Sequence, residues 1–491
     1  MTLPSQSDYF QVYIGANFVC LREGRDPPLH SFVPGGESLL TYELKKAPGV
    51  PLYEALYRCI RSDILGGKLR PGEKLPSKRS LAENLEVSKI TVDAAYEQLL
   101  SEGFIRSVQK VGYFVEAVEH RQQQPIAPSP APADDKPLVD LTGGTGHFPF
   151  SVWSKLQREV MLDYGEKLLL PMPNQGIFEL RQAISKHLAD FRGMHIPPEN
   201  ILIGAGTDFL CNLLIQLLGR DKTYAVEEPG YGKIRSIYTS CGVNCVGAPL
   251  DGFGVSPDGL TDAQILHFSP SHHFPSGLVT GVGRRMALLE WAAAQPNRFI
   301  IEDDYDSEFR FAAHPMPTMK SLDRDGNVIY MNTFSKTLAP SIRISYLALP
   351  PALMKAFRER LGFYSCTVPS FEQYTLARFL SRGHFEKHIN RMRKAYRTTR
   401  NRVVEVLQNC PFADRLTILE QDAGLHFIVK VNAGLSDRAL AERCGRAGIR
   451  IRALSDYYHS AETADTRCLV VNYGGLKDED IDRLASLLDS L

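Results

Sequence analysis

Apolar and polar positions change period several times along this chain, and each change predicts an element. In "PLYEALYRCIRSDILGG", residues 51 to 67, Leu52, Leu56, Ile60, Ile64 and Leu65 recur at helical spacing, and the paired glycines end the helix. Ser77 opens a short helix carrying Leu81, Ala82 and Leu85, and Ser88 opens a third carrying Val92, Ala95, Tyr96 and Leu99 on its apolar face. After Gly103 the spacing falls to two in "FIRSVQKVGYFV", which predicts a hairpin with Lys110 and Gly112 near its tip.

From residue 138 onward the pattern is different. "NILIGAGTDFLCNLLIQLL" reads as a strand, a glycine-rich turn and a helix, and "YAVEEPGYGKIRSIYTSCG" repeats that order. "RFIIEDDYDSEF" and "NVIYMNTFSKTL" are further buried strands that end in polar residues. Such alternation predicts a mostly parallel sheet flanked by helices, whose ligands lie beyond the carboxyl ends of the strands.

Composition divides the chain. Residues 117 to 137, "AVEHRQQQPIAPSPAPADDKP", are rich in proline, alanine and glutamine and predict an extended, semi-rigid linker. Residues 1 to 38 show no clear period and are expected to be an irregular extension or the product of an upstream start codon. A small module at 40–116 and a large one at 138–491 remain.

Charge is balanced, with 56 basic and 56 acidic residues, so any nucleic-acid contact must come from a local patch. Nine cysteines stand without a CxxC pair, as in a reducing compartment. No apolar run approaches a membrane span and the first residues lack the regions of a signal peptide, so a cytoplasmic protein is expected.

In the small module, three helices followed by a hairpin make a winged helix-turn-helix, whose third helix enters the major groove of DNA. Ser88, Lys89 and Thr91 stand at the start of that helix, where side chains and free amides meet phosphates and base edges. Arg79 on the preceding helix and Lys110 on the wing add positive charge. Any one of these alone would be an ordinary solvated residue. In this order, with turn, caps and wing, they point to double-stranded DNA.

The run "GKLRPGEKLPSKRSLAENLEVSKITVDAAYEQLLSEGFI" resembles the DNA-binding domain of GntR-family regulators. Members often carry arginine after the capping serine, whereas Lys89 stands here. A point charge at that position favours phosphate contact over bidentate reading of guanine.

The candidate chemistry of the large module centres on Lys336 in "NTFSKTLAPSIRISYLALP", on a loop between two apolar strands. "GAGT", Gly204 to Thr207, is a strand-to-helix turn of a kind that cradles phosphate. In "IIEDDYDSEF" a period of two puts Asp303 and Tyr305 on one face of the strand end and Asp304 on the other, subject to register. A carboxylate and a phenol facing a lysine suit a pyridine ring: Asp303 for its nitrogen, Tyr305 for its 3-hydroxyl, Lys336 for a Schiff base.

The combination resembles the fold-type I pyridoxal-phosphate enzymes of the aspartate aminotransferase kind, which implies pyridoxal 5'-phosphate as cofactor. The resemblance also implies that Tyr231 stacks on the ring. It implies that Thr207, the amides of Ala205 and Gly206, Thr333, Ser335 and Arg343 hold the phosphate. The family's "NPTG"-like turn appears as "FPSG", residues 274 to 277, without the usual asparagine; His272 or His273 just before it can take that place at the 3-oxygen. The two adjacent histidines have no third ligand at metal spacing, and no metal is expected.

A GntR-type winged helix joined to such a module resembles the MocR subfamily of transcription regulators. The resemblance implies an α/β multi-domain protein: an N-terminal winged helix-turn-helix, then a mostly parallel sheet domain of the PLP-dependent transferase (fold-type I) kind with a smaller C-terminal α/β subdomain. It implies a homodimer, head-to-tail, on promoter half-sites, with a small amine or pyridoxal phosphate sensed through an aldimine at Lys336. A working aminotransferase with a DNA-binding appendage is the alternative. The strand "RCLVVNYGGL" carries Val470 where such enzymes anchor the substrate carboxylate with arginine, which tilts toward sensing, although Arg452 and Arg467 are nearby.

Overall fold

The computed structural model describes residues 40–42, 44, 51–118, 138–144, 147–309, 316–419, 424–459 and 466–489. The chain divides into two compact units, Met1–Ala133 and Asp134–Leu491. The expected irregular extension at 1–38 lies outside the described residues, as does the expected linker from 119 on.

In the first unit, helices α1 (Leu52–Leu65), α2 (Lys78–Asn84) and α3 (Lys89–Ser101) precede strands β1 (Ile105–Val108) and β2 (Gly112–Val115). The strands pair antiparallel, Ile105 opposite Val115 and Val108 opposite Gly112. Leu56, Ile60, Val92, Ala95, Tyr96 and Leu99 are fully buried, so the periodic positions of the sequence are the core. The Ser77 hydroxyl accepts from the Ser80 amide at 3.1 Å and that of Ser88 from the Thr91 amide at 3.2 Å, which ends the α2–α3 turn in two capped helix starts. Leu40, Tyr42 and Leu44 pack on the core of this unit, and the Tyr42 hydroxyl donates to Asp63 at 2.9 Å. Removing residues 1–38 is expected to leave DNA affinity intact; a large loss of binding by the truncated protein would refute this.

The second unit has two sheets that matter for the site. Strand β3 (Val139–Asp140) and helices α4 (Phe150–Tyr164) and α5 (Phe178–Arg192) lead into a large sheet of β4 (Ile201–Gly204), β5 (Thr223–Glu228), β6 (Asn244–Asp251), β7 (Gly254–Val255), β8 (Ile265–Phe268), β9 (Phe299–Asp303), β10 (Val328–Thr333) and β11 (Ser345–Ala348). Their order is β4-β11-β10-β9-β8-β5-β6-β7. Strands β6, β5, β8, β9 and β10 run parallel, and β11 is antiparallel to both β10 and β4. Helix α6 (Thr207–Leu218) follows β4 and α7 (Gly232–Ser240) follows β5, as the sequence pattern predicts. Every residue of β4, β8, β10 and β11 is buried, which explains why their sequences are mostly apolar.

The smaller subdomain contains the antiparallel sheet of β12 (Leu416–Leu419), β13 (His426–Val431), β15 (Arg452–Ala453) and β16 (Cys468–Asn472), in the order β12-β13-β16-β15, while β14 (Ile449–Arg450) pairs with β3. No helix among the described residues is long and apolar enough to cross a membrane.

Candidate functional site

The carboxyl ends of β4, β5, β8, β9 and β10 deliver five loops to one edge of the large sheet. Strand β10 ends at Thr333, a tight turn carries Lys336, and β11 returns beside it. The Thr333 hydroxyl donates to Ser335 Oγ at 3.1 Å, and receives the Ser335 amide at 3.2 Å and the Ser345 hydroxyl at 2.8 Å. These bonds pin the turn, so Thr333 is buried in its scaffold while Lys336 projects exposed. Lys336 has no ion-pair partner among the described residues.

Register separates the two aspartates at the end of β9. Asp304 is 1 % exposed, and its Oδ2 accepts from Arg192 at 2.7 Å, from the Tyr330 hydroxyl at 2.6 Å and from Ser307 at 2.9 Å. Asp303 points the other way. Its Oδ2 lies 3.6 Å from His267 Nε2, and its Oδ1 is buried without a hydrogen-bond partner. His267 Nδ1 in turn meets the Tyr238 hydroxyl at 2.6 Å. Burial holds the Tyr238 phenol well above its ordinary pKa, so it keeps its proton. With that phenol donating to Nδ1, the imidazole hydrogen sits on Nε2 and faces Asp303. The sequence hinted at His267 only as a polar residue inside the apolar strand "ILHF".

Tyr305 also stands on the Asp303 side: its hydroxyl lies 3.3 Å from His272 Nδ1. Burial, with the carboxylates of Asp306 and Asp303, raises its pKa well above the usual phenol value. The structure distinguishes the adjacent histidines. His273 Nε2 meets the Pro229 carbonyl at 2.9 Å and its Nδ1 the Ser276 hydroxyl at 2.6 Å, which ties two loops together, and burial depresses its pKa to about 3. His272 faces Tyr305 and, through Nδ1, Asp306 at 2.8 Å.

Next to His272, through His426 at 4.7 Å, is an aromatic wall that sequence reasoning found only in part. Tyr231, half exposed, packs edge-on to Phe274 at 5.9 Å; Phe274 meets His426 at 5.0 Å and Tyr457 at 5.1 Å. Burial raises the Tyr457 phenol to about 12. Val470 is buried beside Ile428 and Cys468 in a small cluster, and Arg452, directly across from it on β15, is exposed.

At the start of α6, Gly206 has φ +91°, and a Cβ there would lie 2.1 Å from the Arg343 guanidinium. Only glycine lets Arg343 come this close to the helix N-terminus. Arg343 reaches Asp208 at 3.1 Å and Lys233 reaches the same carboxylate oxygen at 2.7 Å. The two cations lower the Asp208 pKa against the opposing effect of burial. The Ala205 amide donates to the Thr367 hydroxyl at 3.0 Å and the Gly206 amide to the Gly204 carbonyl at 2.9 Å. Both expected amide donors are thus engaged, and Thr207 is the first residue of α6, within the turn whose amides have no intrahelical acceptor.

In the first unit, Ser88, Lys89 and Thr91 stand together at the start of α3, with Lys89 exposed and the Ser88 and Thr91 hydroxyls 2.9 Å apart. Arg79 is 85 % exposed and pairs with Glu83 at 3.0 Å. Exposed pairs of this kind are weak, which leaves the guanidinium free to exchange partners. Lys110 holds φ +62° at the hairpin tip. Sequence reasoning passed over Ile90, which is 79 % exposed between Lys89 and Thr91. A large apolar side chain in water at that position is available for contact with a thymine methyl.

Residues 52–115 match the family described as bacterial regulatory proteins, gntR family, and residues 140–488 match aminotransferase class I and II. The chain is 36 % identical to YdeL, an HTH-type transcriptional regulator of Bacillus subtilis, over 90 % of this chain and 97 % of that one. It is 32 % identical to the probable rhizopine catabolism regulatory protein MocR of Rhizobium meliloti, over 85 % and 89 %. To the pyridoxine biosynthesis regulator PdxR of Corynebacterium glutamicum it is 31 % identical, over 88 % and 94 %. Among solved structures, the kynurenine aminotransferase of Pyrococcus horikoshii superposes with a TM-score of 0.62 at 26 % identity, over 72 % of this chain and 91 % of that one. An archaeal alanine:glyoxylate aminotransferase gives 0.64 at 23 %, over 72 % and 90 %, a likeness of fold. The chain belongs to the MocR-type transcription regulators, in which a GntR helix-turn-helix domain is joined to an aminotransferase class I and II domain. Proteins of that aminotransferase fold typically bind pyridoxal phosphate.

Proposed function

We propose that this protein binds promoter DNA through its winged helix and pyridoxal 5'-phosphate through the edge of its large sheet, and that occupancy of the second site sets the activity of the first. The observation that carries the cofactor assignment is Asp303 Oδ1, a buried carboxylate oxygen with no partner, at the end of β9 and next to β10, whose following turn carries Lys336. An orphaned buried acceptor costs about 1–3 kcal/mol. A protonated ring nitrogen would remove that cost, with His267, backed by Tyr238, lying 3.6 Å from Oδ2.

The cofactor supplies an aldehyde and an electron-accepting ring. The chain's own residues do the rest. Lys336 presents its amine for covalent attachment. Tyr305, with His272 behind it, places a phenol hydrogen at the ring's 3-oxygen. Tyr231 covers the ring. Thr207, Ser335 and Arg343 would hold the phosphate, with Gly206 allowing the close approach of Arg343 and the Ala205 turn shaping it. A homodimer is supported by the aminotransferase-like fold, which is typically dimeric, and by the gain in specificity when two winged helices read two half-sites.

Two effector models give different results. If pyridoxal phosphate is the signal, adding it to cofactor-free protein changes promoter affinity by itself. If an amine is the signal, only cofactor-loaded protein responds, and only when the amine is added. Promoter titrations of both forms distinguish these. Val470, packed in the small cluster, offers no anchor for a substrate carboxylate, which supports sensing over turnover. Sustained keto-acid release at about one per second or faster would instead establish an aminotransferase.

DNA contact has its own test. If Arg79, Lys89 and Lys110 neutralise phosphates, each alanine replacement weakens binding to all sequences alike and lowers the slope of log K against log salt by about one. An unchanged slope in all three variants moves the interface elsewhere. Ile90→Ala is expected to act on sequence preference and leave the slope alone.

A further inference from the structure

The pocket beside Lys336 holds a second set of groups that the cofactor reading does not use in full. His272 follows β8, Asp306 follows β9 and His426 opens β13 of the small sheet, so three separate segments converge. All three side chains are only about 2 % exposed, and one ligand atom from each lies within 4.8 Å of the others. The two imidazole rings are 4.7 Å apart. Gly424, at φ +69°, allows this packing, because a Cβ there would fall 1.9 Å from His272.

The hydrogen bonds fix which nitrogens carry protons. His272 Nδ1 faces the Asp306 carboxylate, and His426 is bonded to the Pro275 carbonyl; both partners can only accept. Each ring hydrogen is thereby committed, and each Nε2 presents a lone pair. Both Nε2 atoms are buried without a partner. Two lone pairs cannot satisfy each other, so the missing partner is a donor or a cation. A carboxylate that orients a histidine through its far nitrogen is the arrangement that supports metal-bound imidazole.

We propose that His272 and His426 hold a divalent transition metal of the zinc class through their Nε2 atoms, with Asp306 orienting His272 from Nδ1. Imidazole nitrogen suits that class. Bonds of about 2.0–2.1 Å place ligand atoms roughly 3.4 Å apart, so the ion draws the segments of His272 and His426 together as it enters. Metal entry would thereby couple the small sheet to the ends of β8 and β9 and bring a second positive charge toward Lys336.

The test uses the full-length protein, stripped with chelator and dialysed against zinc chloride at micromolar free zinc, with bound metal measured by atomic absorption. Wild type is expected to retain about one zinc ion per chain. His272→Ala, His426→Ala and Asp306→Asn are each expected to weaken retention about 10–100-fold. The site does not rest on the sensor reading: retention is expected to persist in Lys336→Ala, where no covalent cofactor forms. Cobalt substitution of the unmutated chain gives a reading free of folding defects, with d–d bands for imidazole ligation expected. A thiolate charge-transfer band would place the ion on cysteines and overturn the assignment. So would failure of wild type to retain zinc, or unchanged affinity in the His272→Ala/His426→Ala double variant.

Discussion

Lys336→Ala is expected to abolish the visible absorption of the cofactor-loaded protein and the response of transcription to effector, while DNA affinity in the absence of effector stays as it was. The turn that carries Lys336 is built by Thr333, Ser335 and Ser345, not by the lysine side chain, which is exposed and without an ion-pair partner among the described residues. Its truncation therefore removes an amine and disturbs no packing. The DNA-binding helices belong to the other compact unit, with a separate core of Leu56, Ile60, Val92 and Tyr96. Absorption spectroscopy with pyridoxal phosphate, followed by promoter binding with and without effector, reads both halves of the prediction. Retention of an effector response in the variant would remove Lys336 from the switch.

The adjacent aspartates should give opposite results. Asp304→Ala is expected to destabilise the large unit by about 3–5 kcal/mol, because it leaves the Arg192 guanidinium, 8 % exposed, as an unpaired buried charge and takes the acceptor from Tyr330. Asp303→Asn should leave the stability of cofactor-free protein unchanged or higher, because the carboxylate it removes is already unsatisfied at Oδ1 and makes no hydrogen bond to His267 at 3.6 Å. Its effect falls on the cofactor, whose ring nitrogen loses an ionic partner. Thermal denaturation of both variants, cofactor-free, together with pyridoxal phosphate titrations, separates the roles. A strongly destabilised Asp303→Asn with normal cofactor affinity would exchange the two assignments. A residue kept at the expense of stability marks a functional position, so the sign of the Asp303 result tests function more directly than its size.

Local pattern settled much of this protein. The stripe of Leu56, Ile60 and Ile64, the caps at Ser77 and Ser88 and the alternation after Gly103 were sufficient for the winged helix, because helix and hairpin signals reside within a few residues of one another. The strand–turn–helix units at 200–218 and 224–242 and the loop position of Lys336 were legible for the same reason. A period of two even put Asp303 and Asp304 on opposite faces. What those faces meet was decided by the tertiary structure. Arg192, on α5, claims Asp304 from 112 residues away, and the Thr367 hydroxyl takes the Ala205 amide from 162 residues away. His267 lies under Asp303 only because β8 and β9 are neighbours in the sheet. His426 reaches His272 only because the small sheet packs against the edge of the large one. Periodicity reports the face a side chain occupies, through a backbone geometry that repeats every two or 3.6 residues. It carries no information about partners brought together by chain closure, and the groups that fix proton positions in this pocket are partners of that kind.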